Sequence, residues 1–304
     1  MHPDRKTAGH LAALLTILIW GTTFISTKVL LTQFQPVEIL FFRFLLGLAA
    51  LLLVYPHRLR NTTWRQELTF AAAGLSGVCL YYLLENIALT YTLAANVSVM
   101  VALSPFFTAL FTHLFLKDED RLRVNFLLGF VLAITGICLI SFSGARLALN
   151  PLGDLLAVAA AIVWACYAVL TRKIGGYGYH TILVTRRIFC YGLLFMLPAL
   201  LLFDFRLDHL TRLADPVCLA NLLFLGLGAS ALCFVTWNFA VRQLGAVRTS
   251  VYIYMVPVIT LITSVLILQE PVTPLSCLGM LLTLAGLGLS ERTGLRRSAA
   301  ENSK

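Results

Sequence analysis

Long apolar stretches, each bounded by a short polar or turn-forming segment, dominate this chain. They run over 10–31, 37–55, 68–89, 97–116, 124–143, 152–171, 180–203, 217–241, 250–268 and 274–290, and each is close to the roughly 20 residues that a helix needs to cross a bilayer. Runs such as Phe126 to Ile140 are apolar on every face, unlike the polar–apolar alternation of a transmembrane strand. The pattern predicts an all-α membrane protein with ten transmembrane helices. The links are short, at 32–36, 90–96 and 269–273 on one side and 56–67 and 117–123 on the other, and the longest polar link is 204–216.

The polar and special residues inside these stretches repeat. Trp20, Lys28 and Arg43 recur 144 positions later as Trp164, Arg172 and Arg187, while Asn86 and Pro105 recur 152 positions later as Asn238 and Pro257. The long link 204–216 accounts for the growth of the offset, and a shorter link before the last helix brings Gly129 and Gly136 onto Gly279 and Gly286 at an offset of 150. Two units follow, 9–143 and 152–290, with a boundary near 143–150 and a polar tail, 291–304, expected to be cytoplasmic and disordered. Five crossings per unit force the second copy to lie upside down relative to the first, an arrangement typical of transporters. The glycine pairs are a packing signal, because small residues let helices approach closely in lipid.

Composition agrees: 59% of the 304 residues are hydrophobic and 12% charged, against about a quarter charged in soluble domains. No room is left for a separate soluble domain. The net charge of +9 reflects topology. With a cytoplasmic N-terminus, sixteen of the 23 basic residues fall in inner segments, only Arg146, Arg206 and Arg212 face outside, and four lie within spans. This positive-inside bias places both termini in the cytoplasm and removes the need for a nucleic-acid partner. The seven cysteines sit in or beside apolar spans without a C-x-x-C pair or a histidine at metal spacing, so they read as small packing residues. No cofactor or metal is expected. The first span is too long for a signal peptide, carries Lys28 near its end and lacks a small-x-small cleavage site.

The polar residues embedded in the spans are the candidates for chemistry. Trp20 and Trp164 lie mid-span, whereas membrane tryptophans prefer the headgroup belts; the pair either stacks on substrate in a cavity or packs helices. Thr23 and its counterpart Tyr167 stand about one turn away and supply hydroxyls to the same face. Lys28 either snorkels to the interface or belongs to the site. Arg43 lies roughly 9 Å deep at 1.5 Å per residue, its mate Arg187 lies at similar depth from the other face, and Arg186 adds a further cation. Glu85 is the embedded carboxylate, expected to pair with Arg43 or Lys28 and a candidate to carry a proton. Its repeat mate is Trp237, so embedded positive charge exceeds negative. Such a site either welcomes a carboxylate or other anion, or its arginines bond backbone carbonyls and headgroups.

Asn86 and Asn238 read as interhelical hydrogen-bonding residues or substrate contacts. Tyr82 and Tyr252 are further candidates for aromatic or hydroxyl contacts, and His113 reads as interfacial. Mid-span Pro105 and Pro257 remove helix hydrogen bonds and free the carbonyls of Val101 and Ile253. The kinks either act as hinges or only shape the bundle.

The segment Ile19-Trp20-Gly21-Thr22-Thr23-Phe24 followed by Lys28, the arginine early in helix two, the prolines of helices four and nine, and the doubled five-helix unit together resemble the EamA-type branch of the drug/metabolite transporter superfamily. The resemblance covers residues 9 to 290. It implies a central cavity between helices one, three, four, six, eight and nine, and a secondary transporter moving a small metabolite, many relatives exporting amino acids or related compounds. No nucleotide-binding loop is evident, so gradients would supply the energy. The alternative is a membrane-embedded enzyme acting on a lipid or isoprenoid carrier. That enzyme would need an acidic or histidine cluster at a membrane face, and Asp118-Glu119-Asp120, which reads as a solvated loop, is the one candidate. The expected partners are a small-molecule substrate and the bilayer of a bacterial inner membrane, with the oligomeric state left open.

Overall fold

The computed structural model describes residues 5–115, 124–142, 151–203, 205–269 and 272–301. The proposed repeat boundary at 143–150 and the Asp118-Glu119-Asp120 loop lie outside them. Ten long helices account for nearly all of the described chain: α1 Arg5–Leu30, α2 Pro36–Val54, α3 Trp64–Tyr91, α4 Ala94–Phe115, α5 Val124–Phe142, α6 Pro151–Gly175, α7 Thr181–Leu202, α8 Pro216–Leu244, α9 Ala246–Leu268 and α10 Pro274–Glu301. There is no strand among the described residues. Eight of the helices are long and apolar enough to cross a membrane, and α5 and α10 carry shorter apolar segments, Leu128–Leu139 and Pro274–Gly286. This is the expected set of ten transmembrane helices in two inverted five-helix repeats. α10 continues as helix past residue 290, to Glu301.

The helix starts are written locally. Gln35 and Glu38 form a reciprocal capping box around Pro36 at the start of α2, and Thr63 with Gln66 does the same for α3. Asp215 caps α8 through the Val217 amide, with Pro216 in the first turn. These residues satisfy the orphan N–H groups that a helix end otherwise leaves to water.

Four helices are interrupted inside the bundle, in repeat-related pairs. In α3 the turn Leu75–Leu80 is wide, and the Tyr81 N–H donates five residues back to Ser76; in α8 the wide turn is Phe224–Leu232, and the Cys233 N–H donates to Gly228. Such π-turns add a residue to the helix and free a carbonyl from its usual partner. α4 breaks at Ala102–Leu103, just before Pro105, and the Ser104 hydroxyl donates to the carbonyl of Val101. α9 tightens over Val251–Met255, just before Pro257, where the Val256 N–H takes up the carbonyl of Ile253. Both carbonyls that the prolines release are thus satisfied locally, as buried backbone in lipid requires.

The repeats pack against each other across a pseudo-twofold axis, with α1 lying along α8 and α6 along α3. α5 and α10 form a pair of their own, packed along each other. A Cβ at Gly136 would stand 2.4 Å from the Thr283 hydroxyl and 2.5 Å from the Gly279 carbonyl; one at Gly286 would stand 2.5 Å from the Gly129 carbonyl and the Ala133 amide. Gly136 thus meets Gly279, the repeat mate of Gly129, and Gly286 meets Gly129.

Candidate functional site

A narrow, partly open cavity of about 30 Å³ lies between the helices of the two repeats. α1 lines it with Trp20, Thr23 and Phe24, α3 with Tyr81, Tyr82 and Glu85, α4 with Val101, α6 with Trp164, and α9 with Ile253 and Val256. Three of the four interrupted helices line this site: Val101 precedes the break in α4, Ile253 and Val256 lie at the end of the tight turn in α9, and the π-turn of α3 ends one residue before Tyr81. The space holds about one water, whose share of liquid volume is about 30 Å³. A metabolite needs the aromatic walls to part.

Those walls are a continuous aromatic cluster. The Trp20 and Trp164 rings meet edge to face at 5.3 Å, Trp237 lies 5.1 Å from Trp20, and Tyr81 lies 4.8 Å from Trp164. The cavity is sealed on the side where α1 begins. There Phe234 and Trp237 are fully buried, the Tyr167 hydroxyl donates to Asn238 Oδ1 at 2.8 Å, and Asn238 Nδ2 donates to the Thr185 hydroxyl at 3.0 Å. Closer to that face, the Thr16 and Thr236 hydroxyls pair at 2.7 Å and His10 Nδ1 pairs with the Tyr252 hydroxyl at 2.7 Å.

The two repeat-related tryptophans differ. Trp20 Nε1 donates to the carbonyl of Ala229 at 3.0 Å, inside the π-turn of α8, whereas Trp164 Nε1 is buried without a partner. The carbonyl equivalent to that of Ala229 belongs to Gly77, in the π-turn of α3. The Tyr167 ring packs on Gly77 so closely that a Cβ there would lie 2.2 Å from its edge.

The embedded charges are placed unevenly. Arg43 is fully buried; its Nε donates to the Ser230 hydroxyl at 3.0 Å and its guanidinium carbon lies 4.3 Å from the centre of the Tyr82 ring. Its two terminal nitrogens and Glu85 Oε2 have no hydrogen-bond partner. Of the two partners expected for Glu85, Arg43 makes no direct ion pair with it: Tyr82 lies against the guanidinium while Tyr81 neighbours the carboxyl. Lys28 Nζ donates to the Thr92 carbonyl at 2.8 Å, at the end of α3.

The remaining sequence candidates lie away from the cavity. Arg187 stands at the opposite end of the bundle from Lys28, 3.5 Å from Glu67 and more than a third exposed. Arg186 ties α7 to the end of α2 through the carbonyls of Tyr55 and His57. Asn86 joins α3 to α2 through the Pro36 carbonyl at 3.1 Å, and Asn238 joins α8 to α6 and α7, so both make interhelical bonds, one of the two roles read for them. His113 Nδ1 is buried without a partner.

Several contributors were not singled out in the sequence. Phe24 and Tyr81 line the cavity, and Phe234 and Ser230 support it. Their types are ordinary for an apolar helix, so only proximity to Trp20 and Tyr82 marks them. Glu38 was missed as a buried carboxylate: it caps α2 and also receives the Arg206 amide at 3.0 Å and His209 Nδ1 at 2.9 Å, latching the α7–α8 link onto the first repeat.

Residues 7–142 and 151–291 each match the model of the EamA-like transporter family. An uncharacterized transporter of Archaeoglobus fulgidus is 31% identical, with the alignment covering 92% of this chain and 96% of that protein. A probable terminal-alkyne amino-acid exporter of Streptantibioticus cattleyicolor is 28% identical over 95% of this chain and 96% of its own length, and a probable amino-acid metabolite efflux pump of Salmonella typhimurium is 27% identical over 90% and 92%. A crystal structure of 19% identity shares the fold, with a TM-score of 0.67 over 96% of this chain and 99% of the other.

Proposed function

Because this chain belongs to the EamA-like transporter family, within the drug/metabolite transporter superfamily, we propose that it exports an amino acid or a related small metabolite by exposing its central cavity alternately to the two sides of the membrane. The substrate class is supported by the names given to two relatives, one a probable amino-acid exporter and the other a probable amino-acid metabolite efflux pump. The positive-inside bias supports a cytoplasmic location for both termini. The sealed floor of the cavity then faces inward.

The observation that carries the mechanism is the unequal state of Trp20 and Trp164. Inverted repeats exchange roles between the two open states. Here α1 is docked through Trp20 on the freed carbonyl of α8, while α6 is undocked and Tyr167 occupies the equivalent place at Gly77. Exchanging the roles withdraws Tyr167 from Gly77, brings the Trp164 indole onto the Gly77 carbonyl and releases Trp20. The breaks before Pro105 and Pro257 are the hinges about which α4 and α9 follow.

The test is a whole-cell export and toxicity screen across amino acids and analogues, comparing cells that lack and overproduce the protein. Overproduction should raise efflux of, and resistance to, a narrow set of them. Identical efflux in both strains across the panel refutes the substrate class.

A further inference from the structure

Arg43 presents an electrostatic problem that its surroundings do not solve. A guanidinium carries five donors and no acceptor; here one donor nitrogen is used on Ser230 and both terminal nitrogens are buried and unpartnered. Unpaired charge at membrane depth is costly and marks functional sites. Its compensation is the face of the Tyr82 ring, whose centre lies 4.3 Å from the guanidinium carbon, Phe44 at 5.4 Å, and the through-space attraction of the Glu85 carboxylate, which makes no direct contact with it. Cation–π contact offsets part of the lost hydration but leaves the two terminal nitrogens without acceptors.

Tyr82 itself lines the cavity. Its ring is therefore a partition between the cavity and a guanidinium whose unused edge matches a carboxylate in shape and charge. We infer that Arg43 is a concealed carboxylate subsite: when Tyr82 swings aside, the two free guanidinium nitrogens take the carboxylate of the transported molecule, while Ser230 holds the Nε edge. The inference deepens the proposed function and rests on it for the identity of the substrate, though the subsite itself requires only a carboxylate. The repeat mate does not duplicate it, because Arg187 is engaged by Glu67 near the inner end. One anion subsite per molecule follows, on the outer half of the pathway.

The experiment uses the full-length protein with the exposed Trp64 replaced (Trp64→Phe), so that the fluorescence of Trp20, Trp164 and Trp237 reports on the cavity. In lipid nanodiscs it is titrated with isocaproate, with isocaproamide, which has the same shape without the charge, and with L-leucine. Isocaproate should change the fluorescence and the amide should bind at least about tenfold more weakly, with Arg43→Gln lowering affinity for isocaproate about ten- to a hundredfold and leaving the amide unchanged. Should Arg43→Gln fail to fold, Arg43→Lys keeps the charge without the fork and should lose about tenfold for isocaproate while still preferring it to the amide. Tyr82→Ala should speed isocaproate binding. No response to isocaproate, equal binding of acid and amide, or equal losses for both in the Arg43 variants overturns the subsite. Arg43-dependent isocaproate binding without export of any amino acid from cells would leave the subsite standing and sink the substrate class alone.

Discussion

Adding one methyl group at Gly77 should move the transporter between its two states. In this structure the Tyr167 ring lies on Gly77, and a Cβ there would fall 2.2 Å, 2.4 Å and 2.7 Å from three ring carbons. Ring and helix must separate, and overpacking of this kind costs about 1–3 kcal/mol. The opposite state is not penalised in the same way. Its Trp164 would dock on the Gly77 carbonyl as Trp20 docks on Ala229, and Ala229 already carries a methyl group beneath the docked indole. Gly77→Ala therefore destabilises one state selectively, by an amount equivalent to about a 5- to 150-fold change in their ratio. Cys233 is a natural reporter, fully buried on the sealed side with its thiol directed at the Thr16 carbonyl. Alkylation by a membrane-impermeant maleimide, added to inside-out vesicles and located by mass spectrometry, follows the open population when reclosing outpaces labelling. Cys233 in the Gly77→Ala protein should label about 5- to 150-fold faster than in the parent. Unchanged or slower labelling of a folded variant would refute the exchange of roles between Trp20 and Trp164.

Other perturbations test separate parts of the account. Tyr167→Phe leaves Asn238 Oδ1 without its donor and loosens the same seal by about 1–3 kcal/mol, so Cys233 labelling should again rise; unchanged labelling would mean that the hydroxyl does not hold the seal. Gly136→Leu drives a side chain into Thr283 and Gly279 and should lower the melting temperature of purified protein, whereas an unchanged melt would show that α5 and α10 do not depend on this approach. His209→Ala removes the protein's histidine contact to buried Glu38 and should destabilise by about 1.5–3 kcal/mol. Pairing it with Glu38→Gln should recover part of the loss; melting that falls further in the pair would contradict the latch.

Much of this architecture was readable from the chain because lipid imposes one rule on every span: the backbone must satisfy itself, so length and apolarity reveal helices. The doubled landmarks were readable for the same reason, since a tryptophan, arginine or proline inside an apolar helix stands out. What could not be read was how each landmark is used in each copy. Trp20 and Trp164 are matched in sequence, yet one indole is bonded and the other is not. Arg43 and Arg187 are matched, yet one is sealed beneath Tyr82 and the other meets Glu67. The tryptophans differ in how the two copies are docked, whereas the arginines differ because their partners are not repeated: Ser230 and Tyr82 correspond to Val78 and Phe234 at the offset of 152. The wide turns were also hidden, because Leu75–Leu80 and Phe224–Leu232 have ordinary helical compositions and depart from regularity only through packing between helices. Glu38 gave no sign of its role in the sequence, because its burial depends on the α7–α8 link folding back over it.

Access to Thr23 from each face of the membrane tests the central claim most directly, since this residue lines the cavity and is almost fully buried. In a Thr23→Cys protein reconstituted in oriented vesicles, impermeant thiol reagents of different mass should reach the cysteine from both sides. Exported substrate should shift the ratio, and conditions favouring one side should protect from the other. Labelling from a single face under all conditions, or from both at once without mutual exclusion, would contradict alternating access.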